Sequence, residues 1–177
     1  MSLDKITAQL ANNKQKLPPV ELWDPPYCGE MDMVIKSNGD WFYNGSIISR
    51  QRLVQLFASV LKKEQQQYFL VTPVEKIKIS VESQPFVITN WQWLTDCQPA
   101  TMQLTTNLED KLLLDAEHPL TIDEEGNLLV TVRRNLTATI HRNVFYQWVE
   151  LASEQSCDDG QQLIITSSGQ DYVIGRY

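Results

Sequence analysis

The sequence predicts an α+β fold made of two small domains with antiparallel sheets and a duplicated hairpin–helix–strand core. Alternating and short apolar segments, which are typical of strands, greatly outnumber segments with helical spacing. The order hairpin, apolar helix, buried strand occurs over residues 33–72 and again over residues 120–166. Gly39 and Gly126 are 87 residues apart, whereas the matched helices and last strands are offset by 92 and 94, so the second copy carries small insertions.

The N-terminal arm spans residues 1–20, and its residues 1–16 favour a short amphipathic helix. Leu3, Ile6 and Leu10 recur at helical spacing, and proline at position 18 ends the pattern. Such an arm docks on the body of the protein, pairs with a second copy in a homo-oligomer, or frays as a chain terminus. The sequence leaves these three alternatives open.

The N-terminal domain is predicted to span residues 21–85. A hairpin turns at Asn38-Gly39, a residue pair suited to positive φ, and Ser49 is a good helix N-cap. A helix with one apolar face then ends near Lys62-Lys63, and two strands follow. The predicted strands and helix of this domain are Val34–Tyr43 (a hairpin), Leu53–Leu61, Tyr68–Thr72 and Lys76–Val81.

The C-terminal domain is predicted to span residues 86–177, after a boundary at Ser83-Gln84-Pro85. Several strands precede a hairpin at Glu125-Gly126-Asn127, and a single helix and two closing strands follow it. The predicted segments are Phe86–Ile88, Trp91–Leu94, Met102–Thr106, Leu112–Leu114, Leu120–Ile122, Leu128–Val132, the helix Val144–Ala152, Leu163–Ile165 and Tyr172–Ile174.

Composition narrows the class of protein. The 177 residues are 42% hydrophobic and 21% charged, as in ordinary globular domains. The net charge is −7, divided as +1 over residues 1–85 and −8 over residues 86–177. No basic face that would neutralise phosphates is indicated, so nucleic acid is not an expected partner.

Localisation is predicted to be cytoplasmic. No apolar run approaches the ~20 residues of a membrane span, so no membrane partner is expected, and no signal-peptide pattern opens the chain. The three cysteines, Cys28, Cys97 and Cys157, are far apart and form no Cys-x-x-Cys pair, which favours free thiols in a reducing compartment.

Catalytic and cofactor motifs are absent from the sequence. His118 and His141 are the two histidines, and they form no His-x-x-x-His pair. The acidic run Asp123–Asn127 fits a solvated turn better than a calcium loop, which needs six or more oxygen ligands. There is neither a nucleophile elbow nor a phosphate-binding glycine loop. We therefore expect a non-catalytic protein with no metal and no cofactor.

Arginine points to an anion site. Arg50 and Arg142 occupy matched positions in the first turns of the two predicted helices, where a cation is unfavourable unless an anion binds beside it. We predict that Arg50 binds one small anionic ligand together with Arg133 or Arg142, while Thr72 and Lys76 add a hydroxyl and a second cation. The alternative is that the arginines form salt bridges across the domain junction.

A specific motif, Leu70-Val71-Thr72-Pro73-Val74-Glu75-Lys76, resembles an uncharacterised bacterial family known as domain of unknown function 1285 (DUF1285). The resemblance covers nearly all of residues 20–177. It implies two domains with a duplicated core, a C-terminal domain loosely like pleckstrin-homology folds, a ligand site at the domain interface with a nucleotide-like molecule as one candidate, and a role in signalling. Further matching segments are Pro25-Pro26-x-Cys28-Gly29, Gly39-x-Trp41-x-Tyr43, Pro85-Phe86, Thr106-Asn107, His118-Pro119-Leu120 and Val132-Arg133.

Two other functions compete with ligand binding. In an enzyme with an unrecognised site, Glu75 or His118 would act as the general base. In a protein-interaction module, an exposed patch of tryptophans would be the contact surface. The tryptophans considered for that patch are Trp23, Trp41, Trp91 and Trp93.

Overall fold

The computed structural model describes residues 17–94, 96, 98–157 and 160–177. It contains two compact units that divide between Ser83 and Gln84. Both are rich in β-structure, and the described residues of each form one α-helix. The predicted two-domain layout is therefore present, whereas the helix predicted over residues 1–16 lies outside the described residues.

The N-terminal unit is one six-stranded sheet with a helix. The strand order is β3-β2-β1-β6-β5-β4, and all neighbours are antiparallel except β1 and β6, which are parallel. The prediction of wholly antiparallel sheets was wrong at this pair. In chain order the elements are a 3-10 turn Val20–Leu22, β1 Tyr27–Ile35, β2 Trp41–Tyr43, β3 Ser46–Ile47, α1 Gln51–Ser59, β4 Leu61–Glu64, β5 Gln67–Val71 and β6 Lys76–Val81.

The core of the N-terminal unit lies between α1 and the sheet. Phe57 is 0% exposed and stacks on the buried Trp41, with ring centroids 6.3 Å apart. Val60 is also buried, whereas Leu53 and Leu56, in the helix that was predicted with one apolar face, are half-buried. The remaining fully buried side chains of this unit include Met33, Ile35, Leu61 and Leu70.

The helix boundaries differ from the prediction at both ends. Arg50, and not Ser49, is the N-cap of α1, and it makes no side-chain capping bond. The helix stops at Ser59, so Lys62 and Lys63 lie in β4 and are half-buried instead of exposed at a helix end. A four-residue strand with one buried apolar residue carries too little periodicity to be recognised from sequence.

The C-terminal unit contains two sheets and a helix. A six-stranded sheet has the order β10-β11-β12-β7-β8-β9, with β12 and β7 parallel, and a three-stranded antiparallel sheet has the order β13-β14-β15. The buried Ser167 hydroxyl joins the two sheets: it donates to the Leu114 carbonyl at 2.7 Å and accepts from the Met102 amide at 2.8 Å. The elements are β7 Phe86–Leu94, β8 Thr101–Thr106, β9 Lys111–Leu113, β10 Leu120–Ile122, β11 Leu128–Arg133, β12 Leu136–Ile140, α2 Arg142–Leu151, β13 Ser153–Cys157, β14 Gly160–Ser167 and β15 Gln170–Arg176.

The same order of elements occurs in both units. Three strands in a meander, a helix and a second three-stranded meander form β1–β3, α1 and β4–β6 in one unit, and β10–β12, α2 and β13–β15 in the other. The first hairpin turn is closed in the same way in each. The Gly39 amide donates to the Lys36 carbonyl at 2.9 Å, and 87 residues later the Gly126 amide donates to the Asp123 carbonyl at 3.0 Å.

The two units differ in how their meanders meet. In the N-terminal unit the outer strands β1 and β6 pair in parallel and join the meanders into one sheet. In the C-terminal unit the corresponding strands β10 and β15 are both edge strands, and no backbone hydrogen bond between these fully described strands joins them. An open seam is left at this position.

Candidate functional site

A groove of the C-terminal unit lies at the ends of β10 and β15, against the first turn of α2. Its main cavity has a volume of ≈ 670 Å³. A second cavity of ≈ 240 Å³ shares Gly126, Phe145 and Ile174 with it and continues along β11 and β12. Small-molecule sites usually measure ~300–1,000 Å³. We call this space the seam groove; its lining residues are Ile122, Gly126, Asn127, Leu128, Thr139, Ile140, Phe145, Ile174, Gly175 and Arg176.

A bulge in β15 shapes one wall of the seam groove. Leu163 pairs with Gly175 and Ile164 pairs with Val173, so Ile174 is the extra residue on the β15 side. Bulges bend a strand and re-aim a side chain, and they are frequent next to functional sites. Ile174 is 3% exposed although its strand is at the edge of a sheet.

The opposite wall is apolar and partly uncovered. Ile122, the last residue of β10, is 41% exposed, and Phe145 on α2 is half-buried. An apolar side chain at an unpaired strand edge would normally be covered, because open edges invite non-specific pairing. The seam groove therefore offers apolar surface beside backbone N–H and C=O groups of β10 and β15 that pair with no neighbouring strand.

Charges of both signs surround the seam groove. Arg176 lines it, and Arg142 lies one helical turn before Phe145, on the same face of α2. Between the lining residues Ile122 and Gly126 the hairpin tip carries three carboxylates. Asp123 keeps its charge, because the Asn127 side-chain amide and then backbone amides of the turn lower the pKa of its carboxyl.

Thr72, one of the five predicted site residues, stabilises the turn that it begins. Its hydroxyl accepts from the Glu75 amide at 3.1 Å and from the Val74 amide at 3.4 Å, and the residue is 1% exposed. The turn ends at β6, where the Lys76 amide donates to the Pro26 carbonyl at 3.1 Å. The Thr-Pro-Val-Glu-Lys motif and the Pro-Pro-x-Cys-Gly motif thus meet where the two central strands of the N-terminal sheet, β1 and β6, begin.

The Lys76 side chain is engaged within the same sheet. Its ammonium group donates to Glu64 Oε2 at 2.8 Å and lies 5.0 Å from the centroid of the Phe69 ring. Tyr27, which pairs with Lys76 across β1 and β6, meets Phe69 edge-on at 6.4 Å. Both Thr72 and Lys76 therefore have structural contacts that explain their presence.

Arg133 is held inside the C-terminal unit. Its Nη1 donates to Asp110 Oδ2 at 2.9 Å, its guanidinium lies 4.7 Å from the centroid of the Phe86 ring, and its side chain is 11% exposed. The family-like segments Phe86, Thr106-Asn107 and Arg133 form one network, since Asn107 Oδ1 accepts from the Val87 amide at 3.0 Å. The network stabilises the start of β7.

Arg50 and Arg142 are both exposed at helix starts, but they are not equivalent. Arg50 is the N-cap of α1, whereas the N-cap of α2 is His141 and Arg142 is the first helical residue. The helix bonds agree with this register: the Val54 amide donates to the Arg50 carbonyl at 3.2 Å, and the Phe145 amide donates to the His141 carbonyl at 3.0 Å. The helices therefore match at an offset of 91, and the sequence argument from paired arginines loses its basis.

The five predicted residues are distributed over both units. Arg50, Thr72 and Lys76 belong to the N-terminal unit, and Arg133 and Arg142 belong to the C-terminal unit. A joint site of these residues stays a prediction. None of the five lines the seam groove, and Arg142 lies three residues before its lining residue Phe145 in α2. Sequence reasoning missed the groove itself, and its usable signals were Gly175 and Arg176 within the last apolar strand.

The residues of the competing functions are placed as follows. Glu75 and His118 are half-buried, each with one buried side-chain atom that has no hydrogen-bond partner among the described residues, and neither lines the seam groove. Trp41 belongs to the core, so it is no contact surface. Trp93 is 39% exposed and meets Trp91 edge-on, and the Trp91 indole donates to Gln147 Oε1 at 2.8 Å.

Comparisons with known proteins give the family. The model of the DUF1285 N-terminal domain matches residues 18–84, and the model of the DUF1285 C-terminal domain matches residues 85–174; both are described as being of unknown function. The chain therefore belongs to the DUF1285 family, as its motifs indicated. A search of curated proteins finds no match.

Two solved structures are similar to the chain. The crystal structure of a DUF1285 family protein from Silicibacter pomeroyi DSS-3 has a TM-score of 0.81 and 33% sequence identity, over 97% of this chain and 94% of that one. The crystal structure of a DUF1285 family protein from Shewanella baltica OS155 has a TM-score of 0.55 and 27% identity, over 68% of this chain and 91% of that one. In the described part of the chain, no helix is long and apolar enough to cross a membrane.

Proposed function

We propose that this protein is a non-catalytic binding protein for a small anionic ligand, and that the ligand occupies the seam groove. The observation that carries the proposal is the unpaired junction of β10 and β15, which leaves a cavity of ligand size in a unit whose counterpart is closed. Arg176 and Arg142 are the cations available to an anion there.

The lining of the seam groove supports binding without catalysis. Among the described residues that line it, the side chains are apolar or neutral apart from Arg176, with no carboxylate, imidazole or thiol. General acid–base and nucleophilic catalysis need such a group within hydrogen-bond reach of the substrate. Binding alone needs apolar surface and one or two orienting polar groups, and both are present.

Three finer expectations accompany this proposal. We propose that the shared meander–helix–meander order is a duplication, supported by the turns at Gly39 and Gly126 and by the buried helix residues Phe57 and Trp148, which match at the offset of 91. A likeness of the C-terminal unit to pleckstrin-homology folds is a second proposal. A signalling role, in which ligand occupancy changes the binding of a partner, is the third.

A thermal-shift screen of small anions, nucleotides included, tests the proposed function. A ligand at ~100 times its Kd should stabilise the wild-type protein by ~2.7 kcal/mol. Ile122→Trp fills the seam groove and should remove this stabilisation. Ile47→Trp is the matched control, because Ile47 is 53% exposed on β3 and does not line the groove. Equal ligand shifts in the wild type and both variants would place the site elsewhere.

A further inference from the structure

We infer that the ligand of the seam groove is an amphipathic monocarboxylate, with an apolar body on the floor of the groove and one carboxylate on Arg176. This inference rests on the proposed function and specifies its ligand. Three features carry it: the chemistry of the floor, the number of cations, and the carboxylates of the neighbouring hairpin.

The apolar lining of the groove favours a ligand with an apolar body. Five of its ten lining residues are large and apolar, and together they extend from β10 across β11 and β12 to α2 and β15. Each methylene buried on such a surface improves affinity roughly fourfold. The five residues are Ile122, Leu128, Ile140, Phe145 and Ile174.

The number of cations in the groove favours a ligand with a single negative charge. Arg176 is the one charged residue among the ten lining residues, and no carboxylate of the described residues forms an ion pair with it. A guanidinium matches one carboxylate with two parallel hydrogen bonds. A nucleoside triphosphate would bring several charges to a site that has one lining cation and Arg142 at its margin.

The hairpin tip opposes polyanions. Asp123, Glu124 and Glu125 fill the interval between the lining residues Ile122 and Gly126. The Asp123 carboxylate is held ionised by the turn, where Asn127 donates to it through its side chain at 3.0 Å and through its backbone at 2.8 Å. Three negative charges beside the groove repel a phosphate chain, which carries several charges, more than they repel a single carboxylate.

Isothermal titration calorimetry of the full chain with octanoate, decanoate, decanol and ATP tests the inference. Decanoate should bind about fifteenfold more tightly than octanoate, because it buries two more methylenes. It should also bind more tightly than decanol and ATP. Arg176→Gln should weaken decanoate binding by roughly tenfold or more, as expected for a lost charge-assisted contact, and leave decanol binding unchanged.

Matched variants separate the possible failures. Arg52→Gln removes an exposed arginine of α1 in the other unit and should not change decanoate binding. Arg176→Lys keeps the charge without the planar fork and should bind decanoate more weakly than the wild type. The melting curve of each variant confirms folding, and Arg176 is exposed, so its replacement removes no core contact.

Two results would overturn the inference alone: ATP binding more tightly than decanoate, or Arg176→Gln binding decanoate as tightly as the wild type. In either case the proposed function stands if Ile122→Trp still blocks binding. The inference is also overturned if none of the four probes binds. The thermal-shift screen of small anions then tests separately whether the groove binds any anion. If Ile122→Trp changes no binding of any probe or screened anion, the proposed function falls together with the inference.

Discussion

Replacing Phe57 by alanine should destabilise the N-terminal unit by ~3–5 kcal/mol, the range for a fully buried aromatic residue. Phe57 is 0% exposed in the last turn of α1, and its ring stacks on Trp41 at an interplanar angle of 20°. Such aromatic pairs contribute ~0.5–1.5 kcal/mol beyond the area that they bury. The expected loss is therefore in the upper half of the range.

The assay has to report on one unit at a time, because two compact units need not unfold in a single transition. Hydrogen exchange followed by mass spectrometry gives the opening free energy of β2 and β5 separately from that of β8 and β14. Ile47→Ala, at an exposed position of the same unit, should change stability by less than ~0.5 kcal/mol. A loss below ~1 kcal/mol for Phe57→Ala, with β5 as protected as in the wild type, would contradict the assignment of Phe57 to the core.

Two further predictions concern residues of the N-terminal sheet. Thr72→Val should cost ~1–2 kcal/mol in urea unfolding, because the amides of Val74 and Glu75 lose their acceptor; a neutral effect would mean that water replaces the hydroxyl. The hydrogen bond from Lys76 is the main cause that lowers the pKa of Glu64 below its ordinary 4.5. The ionised Glu64 therefore stabilises the folded state fully above pH 4.5, and this contribution is lost as pH falls through the lowered pKa. The Tm difference between wild type and Glu64→Gln should therefore be largest at neutral pH and shrink on acidification, and a difference that stays constant to pH 3 would refute this linkage.

Local patterns in the sequence predicted most of the strands. They could not predict which strands that are distant in the chain pair with each other. The alternation from Lys76 to Val81 gives the bounds of β6 as the structure has them, and the Asn-Gly and Glu-Gly-Asn runs mark real hairpin turns. The two-residue strand β3 has no measurable period, so it was missed. The parallel pairs β1–β6 and β7–β12 join strands that are distant in the chain, and no local pattern encodes their contact.

The candidate site was less predictable than the fold, because its residues were chosen by chemistry without knowledge of their partners. Lys76 is paired with Glu64, twelve positions earlier, and Arg133 with Asp110, twenty-three positions earlier. Either residue alone reads as an available cation in the sequence. The predicted N-cap of α1, Ser49, is one residue before the observed N-cap, Arg50, and this error was enough to make Arg142 look equivalent to Arg50.

The seam groove arises from strand length and a bulge, and this origin bears on its function. In the N-terminal unit β1 has nine residues and pairs with β6 as far as Ile35 and Val81, whereas β10 has only three residues. The bulge at Ile174 also interrupts the regular edge that β15 would present to a parallel neighbour. The backbone thus holds the groove open independently of its side chains. Exposed residues at its walls, such as Ile122 and Arg176, can then change to suit a ligand without re-forming either sheet, and this favours the seam groove as the site.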